Sequence, residues 1–215
     1  MLIFPHIQCR SLKVQIDSVN KPVTEASEEI TRTRLLQIAR DCVMQSSLEK
    51  FRMSDLYTAA NVSRRTLYNY FSSKEEILMG VVELESDEFL LQLRSEMAPQ
   101  DTFADYLIES LVYIICNQHK QTLSKELFAS RSRLIGDLYR SSMRIHKNWY
   151  HMLEPSFLNA QTKLEINPQL SLDRLIQWYG RLVLSYTQFP PEINDVTALR
   201  EELRQFIILG VQARD

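Results

Sequence analysis

The sequence predicts an all-α protein, an N-terminal three-helix helix-turn-helix domain followed by a larger C-terminal helical domain. Three observations carry that expectation. Glycine is scarce, with 4 among 215 residues, too few for the many tight turns of a β-rich chain. Apolar residues recur at i, i+3, i+4 and i+7 from residue 31 almost to the end. The 7 prolines sit near the expected ends of those periodic segments.

Residues 1–30 show no sustained period and read as a largely disordered extension. Leu35, Ile38, Ala39, Cys42 and Val43 then mark a first helix over about 31–46. A short second helix places Leu56, Ala59 and Ala60 on one face, and a third runs from Arg64 to Phe71. The run Ser73-Lys74-Glu75-Glu76 reads as a capping box, with Ser73 as N-cap and Glu76 reaching back, opening a long helix to about Met97. Further helices are expected over 101–118, with Phe103, Leu107, Leu111 and Ile114 on one face, over 121–129, and over 132–153, the last stopping before Pro155. The final two carry strong stripes: Leu172, Leu175, Ile176, Tyr179, Leu182, Val183 and Tyr186, then Val196, Leu199, Leu203, Phe206, Ile207 and Gly210.

With 45% apolar and 24% charged residues, the chain can bury a sizeable core. No stretch approaches the roughly 18 apolar residues of a membrane span. Met1 to Pro5 lacks the features of a secretory signal, so a soluble cytoplasmic protein is expected. Cys9, Cys42 and Cys116 are odd in number and widely spaced, which suits neither a disulfide framework nor a zinc site. Cys42 reads as a small buried hydrophobe. Net charge is −2, unevenly spread. Residues 31–82 carry eight Lys/Arg against five Asp/Glu, whereas residues 83–215 carry fourteen against eighteen. A mildly basic head on an acidic body suits a module that meets phosphate at one end.

The stretch from Met53 to Phe71 carries the functional signal. A helix-turn-helix needs two short helices whose crossing is set by small residues and a tight turn. Ala59 and Ala60 supply the small residues, Asn61 tolerates a left-handed turn conformation, and Val62 and Leu67 plug the core. Ser63 caps the third helix. The outward residues Arg64, Arg65, Thr66, Tyr68, Asn69 and Tyr70 all form hydrogen bonds, and two are permanently cationic. Arg can read guanine and Asn adenine, while Thr and Tyr suit phosphate oxygens. Lys74 adds a phosphate donor. Ser63, Arg64, Arg65, Thr66, Tyr68, Asn69, Tyr70 and Lys74 are therefore the candidate DNA-binding residues.

This stretch resembles the tetracycline-repressor (TetR) family. The resemblance rests on Arg34-Leu35-Leu36-Gln37-Ile38-Ala39, on Ala59-Ala60-Asn61-Val62-Ser63, and above all on the run from Thr66 to Leu78, TLYNYFSSKEEIL. It covers about residues 31–82. Four positions depart from the pattern: Asn61 replaces the usual turn glycine, Arg52 the threonine that caps the second helix, Tyr57 a small alanine and Ser47 a glycine. Ser54 is the candidate replacement cap. The resemblance implies that the third helix enters the major groove, with Tyr68, Tyr70 and Lys74 on phosphates and Arg64, Arg65, Thr66 and Asn69 reading bases. It implies a DNA-binding domain over 31–80 and a ligand-binding and dimerisation domain over 81–215. It further implies a homodimer joined through the last two helices, a near-palindromic operator and repression relieved by a small-molecule inducer.

The resemblance also implies an inducer pocket among the helices from about 101 to 180. Its candidate lining residues are Tyr113, Phe128, Tyr139, Met143, Trp149, Met152 and Trp178. If 132–153 is one helix, Arg133, Arg140, Arg144, Lys147 and His151 fall within about 60° of one another. That stripe is either a solvated face or the rim of a site for an anionic ligand, with Arg140 and Arg144 the candidate contacts. The inducer would then be hydrophobic or resemble an acyl thioester of coenzyme A. No cofactor and no metal are implied. Cys116 and His119 share a helix face, but one Cys-x-x-His without further ligands or a third placed group supports neither a metal nor catalysis, so no enzyme is expected. The rival reading is a regulator of the same fold controlled by a protein partner, or one that no longer binds DNA. A closed core without a cavity would favour the protein partner.

Overall fold

In the computed structural model, residues 25–117, 142–189, 191 and 195–211 are described. Among them are eight helices: α1 (Glu25–Ser46), α2 (Met53–Ala59), α3 (Arg64–Tyr70), α4 (Lys74–Glu96), α5 (Phe103–Asn117), α6 (Met143–Thr162), α7 (Leu172–Gln188) and α8 (Val196–Val211). The expected segment over 121–129 lies outside the described residues.

Local chemistry sets most helix ends. Asn61 sits at φ 53, left-handed as expected, and closes α2 through two reversed hydrogen bonds, Val62 N–H to Tyr57 C=O at 3.0 Å and Asn61 N–H to Thr58 C=O at 3.2 Å. Leu164 closes α6 in the same way at φ 58, and Ser47 follows α1 at φ 93. The Ser63 hydroxyl accepts from Thr66 N–H at 3.0 Å and so opens α3. At α4, Ser73 Oγ accepts from Glu76 N–H at 3.2 Å, but the return half of the expected box is shifted by one residue. The Glu76 carboxylate accepts from the N–H and the hydroxyl of Ser72, both at 2.7 Å. Those two bonds hold its pKa below the ordinary carboxylate value, the backbone one most strongly. Ser54 does not cap α2. The donor left open by Arg52 is met by Asp55, whose carboxylate accepts Arg52 N–H at 2.9 Å.

Three boundaries differ from the sequence expectation. Helix α1 begins at Glu25, inside the segment read as an extension, because its first turns are exposed and leave no apolar period to detect. Helix α6 begins at Met143, where extended Ser142 caps it by accepting from Ile145 N–H at 3.1 Å, so no single helix spans 132–153. It also runs through Pro155 to Thr162. A proline inside a helix costs about 3 kcal/mol. That cost is offset by burial on both sides of it, of Met152 and Leu153 before and Phe157 and Ala160 after, with Phe157 edge-on to Phe103 at 5.7 Å.

Two apolar cores share α4. The first gathers Leu35, Leu36, Ala39 and Val43 of α1, Leu56 of α2, Leu67 of α3, and Ile77, Leu78, Val81 and Val82 of α4. Gly80 lets α1 approach: a Cβ there would lie 2.7 Å from a Leu36 methyl. Ile145 of α6 also belongs to this core, 3% exposed. The second gathers Phe89, Leu90 and Leu93 of α4 with α5, α6, α7 and α8. Within it α8 packs on α5 and α7 on α6. Arg200 pairs with Glu109, and Arg204 with Asp105 at 2.8 Å, along the α5–α8 seam. Tyr179 is buried at its centre, its hydroxyl donating to Leu107 C=O at 3.1 Å and lying 2.7 Å from Ser110 Oγ.

Two stability predictions rest on these contacts. Replacing Ser47 or Leu164 by glycine removes a left-handed side-chain penalty on the order of 1 kcal/mol each, so the urea midpoint should rise in both variants. Burial pushes the Tyr179 phenol well above its ordinary value of 10. The unfolded chain therefore loses this proton first, and Tyr179 draws stability down as pH climbs above about 10. Tyr179→Phe should cost about 1–2 kcal/mol at neutral pH and blunt the alkaline fall, as read by denaturation at both pH values.

Candidate functional site

Helix α3 is anchored by one fully buried side chain, Leu67, and displays the rest. Ser63, Arg64, Arg65, Tyr68 and Asn69 are exposed, while Thr66, Tyr70 and Lys74 are half-buried. No acidic residue lies on α3, so its outer face is purely cationic and polar. The exposed residues are not equivalent. The Arg64 guanidinium lies 5.4 Å from the centre of the Tyr68 ring, a cation–π arrangement along the helix. The Thr66 hydroxyl lies 2.7 Å from Ser63 Oγ and takes part in the cap. Tyr70 packs its ring on the first core. Arg65 and Asn69, one turn apart, stand clear of these contacts. Ala59, expected at the helix crossing, is exposed, and the packing there is made by Leu56, Ala60 and Val62.

Lys74 is held differently from a free surface lysine. Its ammonium donates to Leu48 C=O at 2.8 Å and lies 5.7 Å from the centre of the Phe51 ring. It ties the start of α4 to the turn between α1 and α2, with two N–H groups left for another acceptor.

The C-terminal half contains a cavity of about 340 Å³ between α6 and α7. Met143 and Trp149 line it, together with Ile145, His146, Tyr179 and Gly180, among others. Trp149 and Tyr179 form an aromatic wall, ring centres 5.6 Å apart and tilted by 59°. The remaining pocket candidates lie elsewhere or outside the described residues. Tyr113 donates to Glu96 at 3.0 Å and packs on Phe89. Met152 is buried and borders a separate cleft beside Phe103 and Pro155. Trp178 faces a groove between α7 and α8 with Leu182, Phe206 and Leu209. Phe128, Tyr139, Arg133, Arg140 and His119 fall outside the described residues. Arg144 is not at the cavity: its guanidinium grips Asp87 of α4 at 2.7 and 2.9 Å and reaches Glu29 of α1 at 3.8 Å. Beside it, Asn148 donates to Asp87 and the Ser142 hydroxyl to Glu83 at 2.7 Å.

Residues 35–81, which hold the whole of α2 and α3, match the family model described as bacterial regulatory proteins, tetR family. The chain carries the N-terminal domain of that family and is similar to its transcriptional regulators. Among curated relatives, the HTH-type transcriptional regulator UidR of Escherichia coli is 28% identical over 152 residues, 66% of this chain and 71% of its own. Among solved structures, Salmonella enterica GusR superposes with a TM-score of 0.59 at 23% identity, over 86% of this chain and 96% of that one. RolR in complex with resorcinol superposes with a TM-score of 0.58 at 19% identity, over 87% and 90%. At these identities the structural matches speak to the fold alone.

The sequence located the exposed face of α3 residue by residue but not the cavity. His146, Tyr179, Gly180 and Arg181 line the cavity and were absent from the sequence-derived set. Tyr179 carried a signal only as part of an apolar stripe. No periodic signal could have paired α6 with α7. The tie made by Lys74 gives a direct check: Lys74→Met should lower the thermal midpoint, because a hydrogen bond from a charged donor contributes about 1.5–3 kcal/mol. A lysine whose part was only to meet phosphate would leave the midpoint unchanged.

Proposed function

We propose that this regulator is a repressor that binds a near-palindromic operator as a homodimer and releases it when a small ligand enters the α6–α7 cavity. The observation that carries the reading is the acid-free outer face of α3, which sets Arg65 and Asn69 clear of intramolecular contacts. Arg65 and Asn69 reach base edges in the major groove, with Arg64 and Thr66 beside them. Tyr68, Tyr70 and the spare N–H groups of Lys74 hold phosphates, and Ser63 sets the N-terminal geometry of the helix.

Dimerisation is supported by the groove between α7 and α8, where Phe206 and Leu209 are 66% and 70% exposed beside Trp178 and Leu182. A second copy covering that face would bury apolar surface that is costly to leave in water. Two-fold symmetry then places two recognition helices about 34–36 Å apart, one turn of DNA. No helix among the described residues is long and apolar enough to cross a membrane, which suits a protein acting on cytoplasmic DNA.

The cavity favours a small ligand over a protein partner, since a closed core would have favoured the latter. Ile145 and Trp149 line the cavity and also pack against the first core, so a ligand that shifts α6 disturbs the seat of α2 and α3. RolR, a structural relative, was solved with resorcinol, a small molecule of a size such a cavity admits. Arg144, engaged by Asp87, does not supply the cationic rim envisaged for an acyl-CoA-like ligand.

The test is a salt titration of binding to DNA flanking the protein's own gene. Affinity should fall steeply with salt, with a slope on the order of 6–10 phosphate contacts per dimer. Arg65→Ala should lose about 1–3 kcal/mol and relax base preference. Tyr70→Phe should weaken binding to all sequences by a similar amount. A shallow slope with indifferent variants would remove the DNA-binding assignment of α3.

A further inference from the structure

We propose that the α6–α7 cavity takes a small planar aromatic anion, its ring between Trp149 and the outer wall of the cavity and its charge on the Arg181 guanidinium. This rests on reading the cavity as the effector site. The cavity interior is apolar, formed by Ile145, Leu153, Ile176 and Val183 around the tilted pair Trp149 and Tyr179. The Tyr179 hydroxyl is turned inward onto Leu107 and Ser110, so this residue presents ring surface and no polar handle. Two aromatic surfaces in one small space favour a flat ring, which gains offset or edge contacts with both.

The charge around the lining is one-sided. Among the described residues, the lining holds the permanently cationic Arg181 and the imidazole of His146, and no carboxylate. The described arginines that link elements are paired: Arg40 with Glu88, Arg144 with Asp87, Arg200 with Glu109 and Arg204 with Asp105. Arg181 stands at the exposed edge of the cavity with no such pairing among the described residues. His146 Nε2 lies 3.5 Å from an Asp173 carboxylate oxygen of α7, whereas Arg181 has no carboxylate partner among the described residues. A free guanidinium beside an apolar cavity matches a carboxylate in geometry as well as charge, because its parallel N–H groups bond both oxygens.

The space fits the same occupant. A volume of about 340 Å³ lies at the low end of the roughly 300–1,000 Å³ range of small-molecule sites, which suits a single-ring ligand better than a long acyl chain with a nucleotide head. Gly180, one residue before Arg181, leaves room on the α7 wall: a Cβ built there meets nothing within 4 Å. A larger side chain at this position would therefore fill the cavity without a clash at its base.

The chain has 2 tryptophans, so Trp178→Phe leaves Trp149 as the sole tryptophan reporter in the cavity wall. In the full-length Trp178→Phe protein, Trp149 fluorescence is titrated with 4-nitrobenzoate and with its neutral isostere 4-nitrobenzamide. The acid should quench saturably and bind at least tenfold more tightly than the amide. Adding Arg181→Gln should bring that ratio close to one while leaving the amide unchanged. Adding Gly180→Leu should abolish saturable quenching by both, with helical content and thermal midpoint retained. Equal binding of acid and amide, or a ratio that survives Arg181→Gln, overturns the anion assignment and leaves the cavity as a neutral-ligand site. If neither compound quenches saturably, or if Gly180→Leu still binds both, the cavity itself is not the effector site.

Discussion

One continuous helix governs the rest of the molecule. Helix α4 supplies Ile77, Leu78, Val81 and Val82 to the first core and Phe89, Leu90 and Leu93 to the second. Cores of this kind are close-packed and change arrangement in discrete steps, not by smooth deformation. A rigid rod shared by two such cores cannot tilt in one without repacking the other. Helix α3 inherits this constraint, because its anchor Leu67 sits in the same core as Ile77 and Val81.

Helix α6 adds a second attachment to that rod. Ile145 inserts into the first core, while Ser142, Arg144 and Asn148 hold Glu83 and Asp87 on the neighbouring turn of α4. Arg144 is partly exposed, and surface ion pairs contribute about 0–1 kcal/mol, so the ionic contacts mainly set register. Burial of Ile145 contributes more, about 1.5–3 kcal/mol for a fully buried side chain. The attachment is thus apolar in strength and polar in specificity.

What could be read from sequence and what could not divide along the range of the interactions. Asn61, Ser63 and Ser73 each bond a residue three positions away, and their types alone announced a left-handed turn and two caps. Ser47, a departure from the resembled pattern, corresponds to a positive φ. The first turns of α1 were silent because they bury nothing. Pro155 misled because its local cost is outweighed by packing of Phe157 and Ala160 against distant partners. The cap of α2 moved from Ser54 to Asp55 for want of any rule to rank two adjacent acceptors. The cavity was illegible because it is a relation between helices, and Arg144 looked available until Asp87, far off in sequence, was placed beside it.

The membership of Ile145 in the core that seats α3 has a reciprocal meaning. Where one element is seated in both a ligand cavity and the support of a recognition helix, any free energy by which ligand disfavours DNA is the same free energy by which DNA disfavours ligand. Under the proposed function, the operator is itself an effector of the cavity. Protein resting on DNA should demand a higher ligand concentration than protein free in solution, so the sensor's threshold is set by how many of its operators are occupied as well as by the lining of its pocket.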